Sequence, residues 1–276
     1  MCYFNGQSVT SEEFVRLMQI EKPVADYDFL NRQLQVGFDY STNAVLKRNG
    51  DDFDIVQMEW GFIPFYLKTR EDVFRMRNGY KDANGKFKPP MLTLNAVSEE
   101  LLIPNKIYRD AALKRRCLIL STGFFEWRHV YGTNKKTGQP LKTATKYPYY
   151  ITVKNKPYFF LAGIWQPWTD RVTGEYVETF AIVTTAANEL MEVVHNSKKR
   201  MPTILPEPLA YEWLFGDLTE EQISALAQTK FPAEEMQACT IAKDFREKLN
   251  PTEPYMYEDV AAIGVAIEPP KQTSFF

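Results

Sequence analysis

"CLILSTGFFEW", residues 117–127, decides how the chain folds. Its apolar first half reads as a buried strand, and Gly123 breaks it. Beyond the break, Glu126 stands among Phe124, Phe125 and Trp127. A pleated strand sends alternate side chains to opposite faces, so Glu126 and Phe124 share one. A carboxylate in aromatic company is costly unless it is paired, and burial raises its pKa into the range of a general acid/base. The other reading of Glu126 is an edge-strand glutamate turned to solvent.

Working outward, more strands follow. "FDIVQMEWGF" (53–62) alternates roughly, and a strand is expected near 91–96 with a short helix near 98–103. "YYITV" and "YFFLAGIW" flank "KNKP" and read as a hairpin, and "ETFAIVTT" (178–185) is a further strand. It runs into "AANELMEVV", a helix ending just before His195. "LAYEWLFG" and "TEEQISALAQT" are later helices, the second capped by Thr219 and Gln222. "TSEEFVRLMQI" (10–20) reads as an early helix, with Thr10 and Glu13 as its capping pair. Residues 66–90, charged and carrying "NG" twice and "PP", read as a surface excursion, and 129–146 as a mobile polar loop. With strands through the middle, helices at both ends and no linker, the expectation is α+β. That means a single compact domain over 1–267, with a mostly antiparallel, curled, barrel-like sheet and flanking helices. The tail "EPPKQTSFF" (268–276) is expected to be flexible.

Composition narrows the function. The chain has 276 residues, of which 45% are hydrophobic and 25% charged, with a net charge of −2. That balance argues against coating long duplex nucleic acid, though not against a local basic groove. Three scattered cysteines (Cys2, Cys117, Cys239) make no disulfide framework, and His129 and His195 are the only histidines, so no metal and no cofactor is expected. No basic-then-apolar leader or membrane-length apolar run is visible, and a cytoplasmic monomer away from membranes is expected.

"MCYFNG" places Cys2 directly behind the initiator methionine. As a small apolar residue it needs no role. With Met1 trimmed, however, it carries an amine of pKa about 7.7–8 beside a thiol of about 8.5. The amine attacks an aldehyde to give an imine, and the thiol closes on the same carbon to give a thiazolidine; acyl transfer through the thiol is the alternative. In "LNAVSEE" (94–100), Asn95 is either a turn residue or an amide that orients a reactive group. In "EVVHNSKKRMPTIL" (192–205), His195 follows a helix C-terminus, where the dipole favours imidazolium. Lys198, Lys199 and Arg200 form a basic cluster suited to phosphate or simply to water. In "EWGFIPFYLK" (59–68), Phe65 and Tyr66 are adjacent, so both cannot face inward from a strand, and an exposed ring stacks bases.

The ordered set of the "MC" start, "WGFIP", "NAVSE", "RRCLILSTGFFEW", "LAGIW", "FAIVTTAAN" and "HNSKKRMPTIL" resembles the SOS-response-associated peptidase family. The resemblance implies a curled, barrel-like α/β fold. It also implies a sensor of abasic sites in single-stranded DNA that crosslinks through the N-terminal cysteine, with an autoproteolytic step. By that resemblance the nucleophile falls on Cys2, the active-site asparagine on Asn95, the glutamate on Glu126 and the histidine on His195. His195 would protonate the sugar oxygen on ring opening. The DNA wedge falls on Phe65 and Tyr66, and a phosphate-holding arginine on Arg200. Tyr3, Phe4 and Val97 stand where the family carries Gly-Arg and an arginine. Lys198, Lys199, Arg115 and Arg116 are the expected substitutes for those phosphate contacts. The other functions weighed are an N-terminal-nucleophile amidohydrolase and a non-catalytic single-strand binder.

Overall fold

The computed structural model describes residues 2–8, 31–134, 136–260 and 263. The helix expected at 10–20 and the tail at 268–276 lie outside the described residues. In chain order the strands are β1 (Phe4–Ser8), β2 (Asn31–Val36), β3 (Thr42–Asn49), β4 (Asp52–Trp60), β5 (Tyr80–Lys81), β6 (Phe87–Lys88), β7 (Asn95–Val97) and β8 (Arg116–Ser121). They continue with β9 (Gly123–Val130), β10 (Thr145–Val153), β11 (Phe159–Thr169), β12 (Tyr176–Ala186), β13 (Arg200–Pro202), β14 (Ile204–Leu205) and β15 (Met236–Thr240). The helices are α1 (Arg70–Asn78), α2 (Arg109–Lys114), α3 (Glu189–Val194), α4 (Glu207–Phe215) and α5 (Glu220–Ala227).

The α+β, curled-sheet expectation holds. β12, β4, β3, β8 and β11 pair in turn, and β11 pairs back with β12, so the sheet closes on itself. The closing contact of β12 with β4 is parallel, through Thr179↔Glu59 and Phe180↔Trp60, while the other pairs of the ring are antiparallel. A second sheet, ordered β15-β10-β9-β1-β2, packs against this barrel. The run at 117–120 is continuously apolar because both faces of β8 are covered. Cys117 and Ile119 join a core shared with Phe124, Tyr149 and Ile151 of the second sheet. Leu118 and Leu120 pack under α4 and α5 with Trp213 and Ile223.

The break at Gly123 is a corner where the chain passes from the barrel to the second sheet. A Cβ there would sit 2.3 Å from the Tyr150 ring, whose hydroxyl donates to the Thr122 carbonyl at 3.0 Å. Only glycine leaves room for that ring.

Two expectations need correction. β10 and β11 do not form a hairpin: β10 pairs with β9 and β15, and β11 with β8, β12 and β14. "KNKP" is therefore a crossing between sheets, with Asn155 in the left-handed region at φ 56°. The surface excursion contains the regular helix α1, opened by a reciprocal capping box between Thr69 and Asp72. The cap on α5 by Thr219 and Gln222 is formed as expected.

Candidate nucleophile and acid–base site

β1 places Cys2. It lies between β2 (Phe4↔Val36) and β9 (Asn5↔Phe124, Gly6↔Gly123). A buried amide network pins it there. Ser121 Oγ donates to Asn5 Oδ1 at 2.6 Å, Asn5 Nδ2 to Gln35 Oε1 at 3.2 Å, and Gln35 Nε2 to Gln7 Oε1 at 2.7 Å. Gln7 Nε2 donates to the Ala44 carbonyl at 3.1 Å, tying β1 to the barrel. Phe4 is clamped edge-on to Trp127 on the far face. Sequence reasoning missed this network. Its one visible signal is amides at Asn5 and Gln7 in a strand otherwise headed for burial.

Just ahead of that strand, Cys2 is fully buried and belongs to the same core as Phe124 and Leu94. Burial, with the Glu126 charge adding to it, pushes its thiol well above the ordinary range. The Tyr3 carbonyl accepts from the Gly37 amide at 2.8 Å. A Cβ on Gly37 would meet both that oxygen (3.2 Å) and the Leu94 side chain (3.1 Å). Gly37 thus brings the Cys2–Tyr3 backbone close to Leu94, the neighbour of Asn95. Asn95 itself lies on β7, beside Ile182 of β12. It is buried, and neither amide atom of its side chain has a hydrogen-bond partner among the described residues. Its backbone carbonyl accepts from Tyr108 Oη at 3.2 Å.

Glu126 takes the face the pleat dictates. Phe124 points with it into the core shared with Cys2, and Phe125 points away, towards Phe245. The carboxyl is buried, and loss of hydration raises its pKa to about 7. His195 caps the C-terminus of α3, its amide donating to the Met191 carbonyl at 2.7 Å. Nδ1 lies 2.8 Å from the Arg200 carbonyl, which can only accept, so Nδ1 carries the hydrogen. Nε2 faces Glu126 Oε2 at 3.7 Å.

The imidazolium expected from the helix dipole is not what forms. Burial outweighs the dipole and lowers the His195 pKa to about 4. Near neutrality the imidazole is therefore a neutral base, and loss of hydration holds the carboxyl's pKa well above the usual carboxylate range. Asn196 fixes this geometry: its Nδ2 donates to the His129 carbonyl at 2.8 Å, and its Oδ1 accepts the His129 amide at 2.9 Å. This clamp between the turn after His195 and β9 was not foreseen. The "HN" dipeptide behind a helix was its only trace.

The remaining expected residues scatter. Phe65 and Tyr66 are both exposed, at 66% and 47%, with rings edge to face at 5.9 Å. Arg200 makes a two-pronged pair with Glu99, at 2.7 and 2.8 Å, and also reaches the Thr184 carbonyl. Lys198 is exposed, and Lys199 reaches Glu192 at 3.6 Å. Arg115 and Arg116 are not brought to the cluster. Arg116 donates to the carbonyls of Trp213, Leu113 and Gly216, and Arg115 pairs with Asp110 and Gln166. Both sit at the opening end of β8, away from the corner that leads to Glu126. No group of three or more metal-ligating side chains occurs among the described residues, and no described helix is long and apolar enough to cross a membrane.

The second sheet and α3 thus gather a buried cysteine near the chain start, a buried carboxyl and a buried imidazole beside a closed barrel. Residues 1–247 match the family model described as SOS response associated peptidase (SRAP), and the chain belongs to that family. It is 27% identical over 194 residues to abasic site processing protein YoqW of Bacillus subtilis, covering 70% of this chain and 72% of that protein. It is 28% identical over 180 residues to abasic site processing protein HMCES of Gallus gallus, covering 58% of this chain and 45% of that protein. A crystal structure of a Bacteroides thetaiotaomicron protein superposes with a TM-score of 0.73 at 28% identity, over 92% of this chain and all of the other.

Proposed function

We propose that this protein processes abasic sites in single-stranded DNA by forming a covalent bond through Cys2 after Met1 is removed. The observation that carries the reading is the buried Glu126–His195 pair at 3.7 Å, with Glu126 close enough for its charge to act on the buried Cys2 thiol. The curated relatives' names point the same way.

The chemistry balances on these groups. His195 Nε2 takes the proton from the C1′ hydroxyl of the abasic sugar while Glu126 gives one to the ring oxygen, so the ring opens to the aldehyde. His195 then returns its proton to Glu126. The Cys2 amine adds to C1′, Glu126 protonates the resulting hydroxyl, which leaves as water, and the carboxylate takes up the proton released from the amine nitrogen. The imine carbon is then attacked by the Cys2 sulfur. The thiol proton passes through Glu126 to the ring nitrogen, closing a thiazolidine with net loss of one water. Asn95, buried with no side-chain hydrogen-bond partner among the described residues, orients the Cys2 amine. While Met1 precedes it, Cys2 has no free amine and its thiol is neutral, so that form is latent. Removal of Met1 by the same thiol is the peptidase step. Phe65 and Tyr66 stack bases, and Lys198, Lys199 and Arg200 hold phosphate once Glu99 yields. Binding therefore weakens with salt. The protein works as a monomer on DNA in the cytoplasm.

Intact-mass measurement, with and without an oligonucleotide carrying one abasic site, tests this. The expected masses are the chain without Met1, and that chain plus the oligonucleotide less one water. Cys2→Ser, or one residue inserted before Cys2, should remove the adduct. An adduct on the extended protein overturns the thiazolidine. Acylation of the thiol by an amide substrate instead marks an amidohydrolase.

A further inference from the structure

The excursion at 66–91 has no part in the chemistry above, yet it differs from the rest of the molecule. Seven of its residues are Lys or Arg against three Asp or Glu, in a chain whose net charge is −2. The strands β5 and β6 form a hairpin with Tyr80 directly opposite Lys88, so both point to one face. That face meets Tyr66, with Arg75 and Met76 of α1, around an open pocket of about 360 Å³. Two aromatic rings and two cations thus line one cleft of the size that takes a small planar group.

The cleft is held to the site. The Met91 amide donates to the Met76 carbonyl at 2.8 Å, fixing the cleft's exit. From Met91 the chain runs four residues to Asn95, a reach of at most about 14 Å. Phe62 N donates to the Thr93 carbonyl at 3.1 Å, and Trp60 Nε1 to the Leu94 carbonyl at 3.0 Å. The loop bearing Phe65 and Tyr66 is therefore stitched to the same segment.

We infer that this cleft receives a base of the single strand next to the captured sugar, stacked between Tyr66 and Tyr80, with Arg75 and Lys88 on its phosphate. The inference rests on the proposed reading of the site and adds a subsite to it. Charge complementarity selects the occupant: the excursion is cationic and aromatic, as a single-strand track is. Arg75 pairs with exposed Glu71 at 2.5 Å and Lys88 with half-buried Asp82 at 3.6 Å, surface pairs which phosphate displaces cheaply. Asp72 also lines the cleft, but its carboxylate is engaged by the Lys68 and Thr69 amides.

Fluorescence anisotropy with a single-stranded oligonucleotide carrying a stable abasic analogue that cannot crosslink gives the test. Tyr80 is exposed, so its replacement leaves the fold intact. Tyr80→Ala should weaken binding about 5- to 50-fold, and Tyr80→Phe should bind like wild type. Crosslinking of a reactive abasic strand at saturating concentration should be unchanged in both. Removing single bases from the strand should weaken wild type at one flanking position and leave Tyr80→Ala insensitive there. If Tyr80→Ala binds as wild type, or if Tyr80→Phe loses as much as Tyr80→Ala, the subsite is wrong while the crosslinking reading stands. If wild type binds no single strand, both fall.

Discussion

Two glutamates, Glu59 half-buried on the barrel and Glu126 buried on its neighbouring sheet, have opposite surroundings. Glu59, at the end of β4, is gripped by two guanidinium groups, Arg77 at 2.6 Å and Arg70 at 2.9 Å. Arg77 also lies 3.8 Å over the Tyr40 ring, and Arg70 pairs onward with Glu175. This cluster ties α1 to the barrel with its charges matched. Glu126 faces a neutral imidazole, and its proton is retained to about pH 7. Matched charges make a joint, whereas under the proposed function the carboxyl buried beside a weak base gives and takes protons. Burial of a carboxyl is thus no sign of function by itself; what matters is whether a permanent cation meets it.

The contrast breaks most visibly in the two amide variants. Glu126→Gln should lower the crosslinking rate by about 10²- to 10⁴-fold with little loss of stability, read by gel kinetics and urea unfolding. Glu59→Gln should do the reverse, costing about 2 kcal/mol in unfolding free energy because two guanidinium groups lose their partner, with crosslinking of short strands retained. Equal rate losses in both variants would erase the distinction.

Stability against pH sharpens it further. Raised to about 7, Glu126 contributes stability that is present below the ordinary carboxylate range and lost as pH rises to 7. Lowered to about 4, His195 contributes stability that is present above about 6.5 and lost as pH falls to 4. Between about 4.5 and 6.5 the two slopes oppose. Wild type should therefore be nearly flat there. Glu126→Gln should gain on the order of 1–3 kcal/mol as pH rises across the window, and His195→Gln should lose a similar amount. Parallel profiles in both variants would show the two groups not to share a proton.

The smallest effect is expected at Asn95. Its buried amide has no partner among the described residues, so Asn95→Ala should leave stability unchanged or raise it by up to about 1 kcal/mol while crosslinking slows. A loss of more than about 1 kcal/mol would make Asn95 a structural residue.

Much of this was readable locally. The strand through 117–127, its Gly123 corner, the shared face of Phe124 and Glu126, the helix ending at His195 and the Thr219–Gln222 cap all follow from neighbours in the chain. What escaped was choice of partner. β10 and β11 look like a hairpin because each is apolar and the connection is short, but each meets better-matched strands elsewhere. α1 escaped because only Val73 and Met76 are buried in it, so its periodicity is thin, and its capping box uses Asp72 in place of Glu or Gln. At the site, residue types marked Glu126 and His195, but not the sign of the His195 shift, which depends on burial that the helix end alone does not reveal. The amides of Asn5, Gln7 and Gln35 and the clamp by Asn196 join residues far apart in sequence, and no local pattern announces them.

The pairing of β1 also sets a timetable. Its neighbour β9 is reached only after about 120 further residues, from Asn5 to Phe124, have been synthesised. At ribosomal speeds of about 5–20 residues per second, that is roughly 6–25 s. For that interval β1 lacks its β9 partner, and the strand that carries Glu126 is not yet beside it. Once Gly123 and Phe124 arrive, β1 gains its second neighbour, so the strand that positions Cys2 is completed only when nearly half the chain has been made.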